Sequence, residues 1–431
     1  MAAVSDRRGG PAVLRAEIIA VGSEMLTPTR VDTNSLFITE QLNEVGVELW
    51  AKAVVGDDRD DLRAVFARAL ERSDLVVVTG GLGPTQDDIT RDVVAEVLGL
   101  PLEEDEEAAE RIRQRFAARG LRMPEINRRQ ALVPRGAVAL ANQKGTAPGL
   151  WIEHDGRRIA LLPGPPREMK PLFERVAREY LAPVARGARL YRRVLKITGR
   201  TESHVEEIAH PVYSRWLEGP NRISTTILAV PGQIELHLTT RASDAAGAGA
   251  VLARATGELA AALGADLFST DGGTMEQVVG DLLRERHLWI ALAESCTGGL
   301  ATSRLTDVPG SSEYVERSVV CYSNRAKTDL LGVPASLIVE HGAVSEPVGL
   351  AMATGIRERA DVDIGVGITG IAGPTGGSDR KPVGTVVIAM AWRGGSRVRT
   401  MWFPGGREQV KFFASQAALD MVRRWLIGPD A

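Results

Sequence analysis

The sequence predicts an α/β protein in which two α/β domains are joined by a small α+β connector. Three observations carry that expectation. Short apolar runs alternate with amphipathic helical stretches at both ends of the chain. A length of 431 residues exceeds what one hydrophobic core usually serves. Between the two ends the pattern changes to period-two alternation followed by an Ala-rich helix.

The first domain is expected over residues 15–183. Glu17-Ile-Ile-Ala-Val-Gly22, Val47 to Val55 and Asp74 to Thr79 read as strands, with helices from about Asn34 to Val45 and Asp60 to Arg72 between them. Strand–helix alternation of this kind closes into a mostly parallel sheet covered by helices. The charged stretch Glu103 to Gly120 reads as a solvated helix with no functional role. The connector, residues 184–270, enters through Val184 to Ala188 and alternates from Leu190 to Ile197. It then forms a helix from Glu202, strands at Ile223 to Val230 and Gln233 to Thr240, and an Ala-rich helix from Ala245 to Leu263. A spacer or dimer contact is the role expected of it, because Gly199-Arg200 is too sparse for a nucleic-acid loop. In the second large domain, residues 271–428, a helix from Met275 leads to a strand at Leu288 and a helix from Gly299. Strands follow at Val315 to Tyr322 and Val362 to Ile368. A hairpin around Gly394-Gly395 and an amphipathic helix from Arg407 to Leu426 close the domain.

Net charge is −3 and no block of Lys or Arg occurs, so neither a nucleic-acid groove nor a membrane-surface patch has electrostatic support. Two cysteines exclude a disulfide framework and fit a reducing compartment. No apolar run reaches spanning length, and the first eleven residues lack a signal-peptide core. The expectation is a cytoplasmic protein with a frayed N-terminal tail, small-molecule ligands and a homodimeric state.

Chemistry concentrates where Leu288-Trp-Ile-Ala-Leu292 gives way to Ala293-Glu-Ser-Cys-Thr-Gly-Gly299. A strand ending in a Gly-rich turn before a helix exposes side chains at the sheet edge beside backbone N–H groups that can hold an anion. Ser295 is the candidate nucleophile. Neighbouring side chains at a strand end point to opposite faces, so only one of Ser295 and Cys296 should face the cleft. A serine needs a base. His341 would complete a Ser-His-Asp triad, but Cys321-Tyr-Ser-Asn-Arg-Ala-Lys327 offers the better partners. Tyr322 would end a strand, Asn324 would cap the next helix, and Lys327 in its first turn would have a depressed pKa and could take the proton of Ser295 or Tyr322. Gly367 to Gly377 carries five glycines and a proline, a density suited to close approach of a phosphate, with Lys381 nearby.

Ala293-Glu-Ser-Cys-Thr-Gly-Gly299, Tyr322-Ser-Asn-Arg-Ala-Lys327, Gly342-Ala-Val-Ser-Glu346 and Gly370-Ile-Ala-Gly-Pro374 with Lys381-Pro-Val-Gly-Thr385 resemble, in order and spacing, the CinA C-terminal domain, the nicotinamide-nucleotide amidohydrolase family, over about 150 residues. The resemblance implies metal-free hydrolysis of nicotinamide mononucleotide to nicotinic acid mononucleotide and ammonia. Ser295 would attack the amide, and Tyr322 and Lys327 would move protons. The loop Gly370 to Gly377, with Ala372, Gly373 and Gly376, would hold the phosphate, while Glu294, Thr297, Gly298 and Gly299 would complete the substrate site.

A second signal is Val78-Thr-Gly-Gly-Leu-Gly-Pro-Thr-Gln-Asp-Asp-Ile-Thr90, three glycines and a proline after a buried strand. Its acidic residues suit a helix cap or, beside a phosphate loop, a divalent cation. With Gly22-Ser-Glu-Met25, Asp32-Thr-Asn34, Gly145-Thr-Ala-Pro-Gly149 and Leu162-Pro-Gly-Pro-Pro-Arg-Glu-Met169 it resembles the molybdopterin-binding, MoaB/MogA-like fold as CinA proteins carry it. That implies metal-dependent pyrophosphate cleavage of ADP-ribose. Metal would sit at Asp88, Asp87 and Glu24, phosphate at Gly80, Gly81, Gly83 and Thr85, with Lys144 and Lys170 as a charge clamp. One departure is Leu26-Thr-Pro-Thr-Arg30, where Pro28 replaces the flexibility of a family glycine. The alternative is a nucleotide- or pterin-binding scaffold.

Overall fold

The structure, a computed structural model, describes residues 13–185, 188–218 and 222–428. The expected frayed tail before residue 13 and part of the expected linker at Val184 to Ala188 lie outside them. The chain divides into two compact units, one running to Tyr191 and including Arg241–Ala248, the other comprising Arg192–Thr240 and everything from Gly249 onward. The connector's elements thus fall largely in the second unit.

In the first unit β1 (Arg15–Val21), β2 (Glu48–Val55), β3 (Leu75–Thr79), β4 (Leu102–Glu104), β5 (Leu132–Pro134), β6 (Val138–Leu140), β7 (Gly149–His154) and β8 (Arg157–Leu162) follow one another. Six of them form a sheet in the order β2-β1-β3-β8-β7-β6. The pairs β1–β2, β1–β3 and β3–β8 are parallel, and β7 adds antiparallel to β8. Helices Thr33–Val45 and Arg59–Arg72 pack on opposite faces, one burying Ile38 and Leu42 and the other Leu62 and Phe66. This is why β3, Leu-Val-Val-Val-Thr, is apolar without alternation: it is covered on both sides.

β9 (Arg189–Ile197), β10 (Ile223–Val230), β11 (Gln233–Ala242) and β12 (Leu267–Ser269), most of whose residues belong to the second unit, form a four-stranded sheet in the order β10-β11-β9-β12. Next come β13 (Ile290–Glu294), β14 (Val315–Val320), β15 (Ile364–Gly370), β16 (Thr385–Trp392) and β17 (Gly395–Trp402), ordered β14-β13-β15-β16-β17. β13 is parallel to both β14 and β15, whereas β16 and β17 form the expected hairpin. Helices Met275–Glu285 and Arg407–Ile427 cover one face of this sheet, and Glu346–Ala360 covers the other. β13 and β15 are therefore central, buried and parallel, and both end at the same sheet edge. Turns leaving such an edge are where open α/β sheets bind ligands. Among the described residues no helix is long and apolar enough to cross a membrane.

Candidate functional site

The turn after β13 and the turn after β15 line one cleft of about 180 Å3, with Ser295, Cys296, Tyr322, Asn324, Lys327, Ala343, Val344, Thr369, Gly370, Ala372 and Arg407 in its walls. Ser295 is fixed by its N–H, which donates to the Ile368 carbonyl at 2.9 Å and splices the turn onto β15. Lys327 stands in the first turn of helix Asn324–Leu331 and is 1% exposed. Its Nζ lies 3.1 Å from Ser295 Oγ and donates to the Cys321 carbonyl at 2.9 Å. Among the described residues no carboxylate contacts this ammonium, and burial pushes its pKa below the ordinary lysine range. A buried amine that sheds its proton readily, at hydrogen-bond distance from a serine hydroxyl, has the geometry to act as that hydroxyl's base.

Tyr322 is 60% exposed, and its hydroxyl accepts a 2.8 Å hydrogen bond from Arg407 Nη2. Arg407 Nη1 donates to the Gly373 carbonyl at 2.9 Å, so one guanidinium links the tyrosine to the loop after β15. Cys296 and Ser295 both line the cleft, contrary to the expectation that alternation would separate them. The strand ends at Glu294, and the two residues sit in the turn, where period-two geometry no longer holds. Cys296 Sγ joins the hydrophobic core, and burial pushes its thiol up to about 12, so it stays protonated.

Several expected roles are revised. Glu294 is fully buried and accepts from the N–H groups of Gly299, Ala301 and Thr302 and from the Thr302 hydroxyl, at 2.6 to 3.2 Å. It therefore caps the helix Leu300–Thr306 from within, and the turn that looked ready for an external anion already holds a carboxylate. Thr297 is fully buried as well. Gly298 and Gly299 take left-handed φ of 65° and 92°, which the turn requires, and do not line the cleft. The cap of the Lys327 helix is Ser323, whose Oγ accepts from Ala326 N at 3.0 Å, and Asn324 is its first helical residue. His341 lies outside the cleft lining beside Glu340, which leaves the triad without its base.

The loop after β15 is also differently employed. A Cβ at Gly370 would meet Val386 Cγ2 at 2.7 Å and the Thr385 carbonyl at 2.8 Å. One at Gly373 would meet Val383 Cγ1 at 2.5 Å, and one at Gly377 the Val383 N at 2.8 Å. These glycines are demanded by the segment leading into β16. Gly376, at φ 92°, meets only ordinary contacts. Lys381 Nζ ties down the carbonyls of His341 and Val344, at 3.2 and 2.6 Å.

In the first unit Gly80, Gly81, Gly83, Thr85, Asp87 and Asp88 do form one loop after β3, in which Thr85 and Asp87 are exposed while the glycines pack against the protein's own atoms. A Cβ at Gly80 would strike the Val21 carbonyl, one at Gly81 the Thr90 hydroxyl, and one at Gly83 the Asp88 carboxylate. Asp88 Oδ2 accepts from Thr85 N at 2.9 Å and Thr85 Oγ1 at 2.6 Å. Glu24 belongs to the short helix Ser23–Leu26 and curls back toward Gly22, in the segment that continues into the Pro28 loop. Lys144 follows Asn142, whose Oδ1 accepts its backbone N–H at 2.9 Å. Lys170 lies over the Phe37 ring at 5.1 Å. Among the described residues no three His, Cys, Asp or Glu side chains are grouped to hold a metal, so Glu24, Asp87 and Asp88 do not fit a protein-built cation cage.

Residues 273–426 match the family described as CinA C-terminal domain, and residues 17–183 match the one described as Probable molybdopterin binding domain. A CinA-like protein of Koribacter versatilis is 47% identical over 416 residues, covering 96% of this chain and all of that one. The chain belongs to the CinA family. Its first domain is MoaB/MogA-like and its last is the CinA domain that carries the Ser295 cleft. Among solved structures, CinA of Thermoplasma acidophilum is 37% identical, covers 38% of this chain and 96% of its own, and has a TM-score of 0.36. MoaB of Thermus thermophilus is 25% identical, covers 38% and 89% respectively, and has a TM-score of 0.26. Arg407 is a cleft-lining cation that motif reading passed over. Its signal was the pair Gly405-Gly406 ahead of the closing helix, a turn that brings a helix start to the cleft.

Proposed function

We propose that this CinA-family protein hydrolyses the carboxamide of nicotinamide mononucleotide, giving nicotinic acid mononucleotide and ammonia. The observation that carries the reading is the buried, carboxylate-free Lys327 Nζ at 3.1 Å from Ser295 Oγ. With Lys327 neutral, its lone pair takes the Ser295 proton as Oγ bonds to the amide carbon. The N–H groups of Cys296 and Thr297, which have no carbonyl acceptor among the described residues, are available to the oxyanion. The protonated Lys327 then gives its proton to the leaving nitrogen, the C–N bond breaks, and ammonia departs from an acyl-Ser295 ester. Water, deprotonated by the same amine, cleaves that ester and restores Ser295. Tyr322, held by Arg407, orders the substrate side of the cleft and relays protons there.

Ser295→Ala should lower ammonia release by about a thousand-fold or more with an unchanged thermal melt. Turnover that survives the substitution removes Ser295 from the chemistry. A scaffold that only binds a pterin has no need of this pair.

For the first domain the reading is nucleotide binding through the phosphate, with ADP-ribose cleavage as its reactive form. What supports it is Arg91, 2% exposed beneath the glycine loop and bonded to the Leu82 and Arg129 carbonyls at 3.1 and 2.6 Å. Burial lowers its pKa only to about 10, so a positive charge remains under the loop at neutral pH. Cleavage of ADP-ribose with an added divalent metal, and none without, is the measurement that decides between turnover and binding alone.

A further inference from the structure

We infer that Arg304, outside the cleft lining, is a positioning residue: its guanidinium joins the helix after the nucleophile turn to the closing helix and so sets Arg407 and Tyr322 against Ser295. The inference rests on the amidohydrolase reading. The backbone on both sides of the cleft is held by the sheet, through Ser295 N–H to the Ile368 carbonyl and Cys321 N–H to the Glu294 carbonyl, at 2.9 and 2.8 Å. The exposed Tyr322 side chain has no such support. Its hydroxyl is held by Arg407, the first residue of helix Arg407–Ile427, whereas the Ser295 turn runs into helix Leu300–Thr306. Register between these two helices therefore governs how the tyrosine faces the nucleophile.

Arg304 makes that register. It stands near the end of helix Leu300–Thr306 and is 9% exposed. Its Nε and Nη2 donate to Glu276 Oε2 at 3.2 and 2.7 Å. On the closing helix Nη1 donates to Ser415 Oγ at 2.9 Å and Nη2 to Gln416 Oε1 at 2.6 Å, with the guanidinium 4.9 Å from the centre of the Phe412 ring. A rigid planar fork can serve three acceptors and a ring face at once, which an ammonium cannot. The connector packs on the same place. In the turn between β10 and β11 a Cβ at Gly232 would meet Phe412 Cε1 at 3.1 Å and Gln416 Cγ at 3.3 Å. From Phe412 and Gln416 back to Arg407 is only about one to three turns of one helix, a length that moves as a rigid piece, so a slip at the grip is carried to the cleft.

The test is a double-mutant cycle on ammonia release from nicotinamide mononucleotide: wild type, Arg304→Lys, Arg407→Met and the double variant. Arg304→Lys keeps a charge beside Glu276 and gives up the fork. It should lower kcat about ten- to a hundred-fold, the scale of a reacting group displaced by roughly 1 Å. The limb of the pH profile set by Lys327 should stay in place, because Lys327 lies on neither joined helix. In the Arg407→Met background Arg304→Lys should cost nothing further, since Arg304 acts through Arg407. Equal losses in both backgrounds, as a purely structural role would give, or an unchanged kcat in Arg304→Lys, overturns the inference. Should Arg304→Lys fail to fold, Gln416→Met carries the same cycle: it keeps the Arg304–Glu276 pair, and the Gln416 Nε2 that it removes has no hydrogen-bond partner among the described residues. If wild type releases no ammonia, the amidohydrolase reading falls and hydrogen exchange decides the coupling. Faster exchange of the N–H groups at residues 405–411 in the variant upholds it, and wild-type rates there overturn it.

Discussion

Lys327 holds a cost that its proposed catalytic use explains. Its charged form is disfavoured by burial, so the folded chain binds fewer protons than the unfolded chain between the depressed pKa and the ordinary lysine value. Over that window stability rises with pH, and below the folded pKa the full cost is present. Removing the charge should relieve it: Lys327→Met is expected to melt no lower than wild type at neutral pH while losing ammonia release, a trade between stability and activity. The same depression sets the rate profile. kcat/KM should climb with pH along a limb lying below the ordinary lysine range, as the amine becomes neutral. Lys327→Arg, which cannot deprotonate, should abolish the limb and the activity together. A limb at the ordinary lysine value would contradict the desolvation argument. The sequence made this residue legible, because a lysine in the first turn of a helix that follows closely on a strand is a recognisable arrangement. It did not reveal that Cys296 would share the cleft, since that depended on where β13 stops.

The glycine-rich turns were the easiest elements to find and the hardest to interpret. A glycine required by a neighbouring carbonyl looks the same in sequence as one required by a ligand, and only the neighbours distinguish them. Gly370 is the sharpest case, because its missing Cβ makes room for the Thr385 carbonyl and Val386. Gly370→Ala should therefore destabilise by about 1–3 kcal/mol, read as a lower denaturation midpoint, since part of the obstruction is backbone. A glycine kept for substrate alone would instead raise KM and leave the midpoint in place. Glu294 follows the same logic. Its carboxylate satisfies three backbone N–H groups and one hydroxyl of the helix that carries Thr302, so Glu294→Ala should cost about 3 kcal/mol, while Glu294→Gln keeps part of the cap and costs less. The family resemblance implied a substrate contact for this residue, which adjoins Ser295. Its actual partners lie five to eight residues ahead, within reach only because the turn folds back over it.

Both large domains share one plan, three or more parallel strands extended by an antiparallel pair, and each gathers its glycine motif where central parallel strands end. Strand–helix alternation made that much readable, as did the hairpin around Gly394. What stayed hidden is long-range: Arg407 meets Tyr322 across 85 residues, and nothing near either residue announces the other. The division of chemistry between the domains is nonetheless open to one measurement. In the proposed reaction Ser295 and Lys327 serve as nucleophile and base, so deamidation in the C-terminal cleft asks nothing of a divalent cation. In the first domain pyrophosphate cleavage would need charge neutralisation beyond Arg91, and among the described residues no carboxylates form a cage, so a cation there would draw most of its oxygens from the substrate. A chelator should thus leave ammonia release unchanged and stop any ADP-ribose cleavage, and restoring a divalent metal should return only the latter. Loss of both on chelation would mean that the Ser295–Lys327 pair is not sufficient for amide hydrolysis.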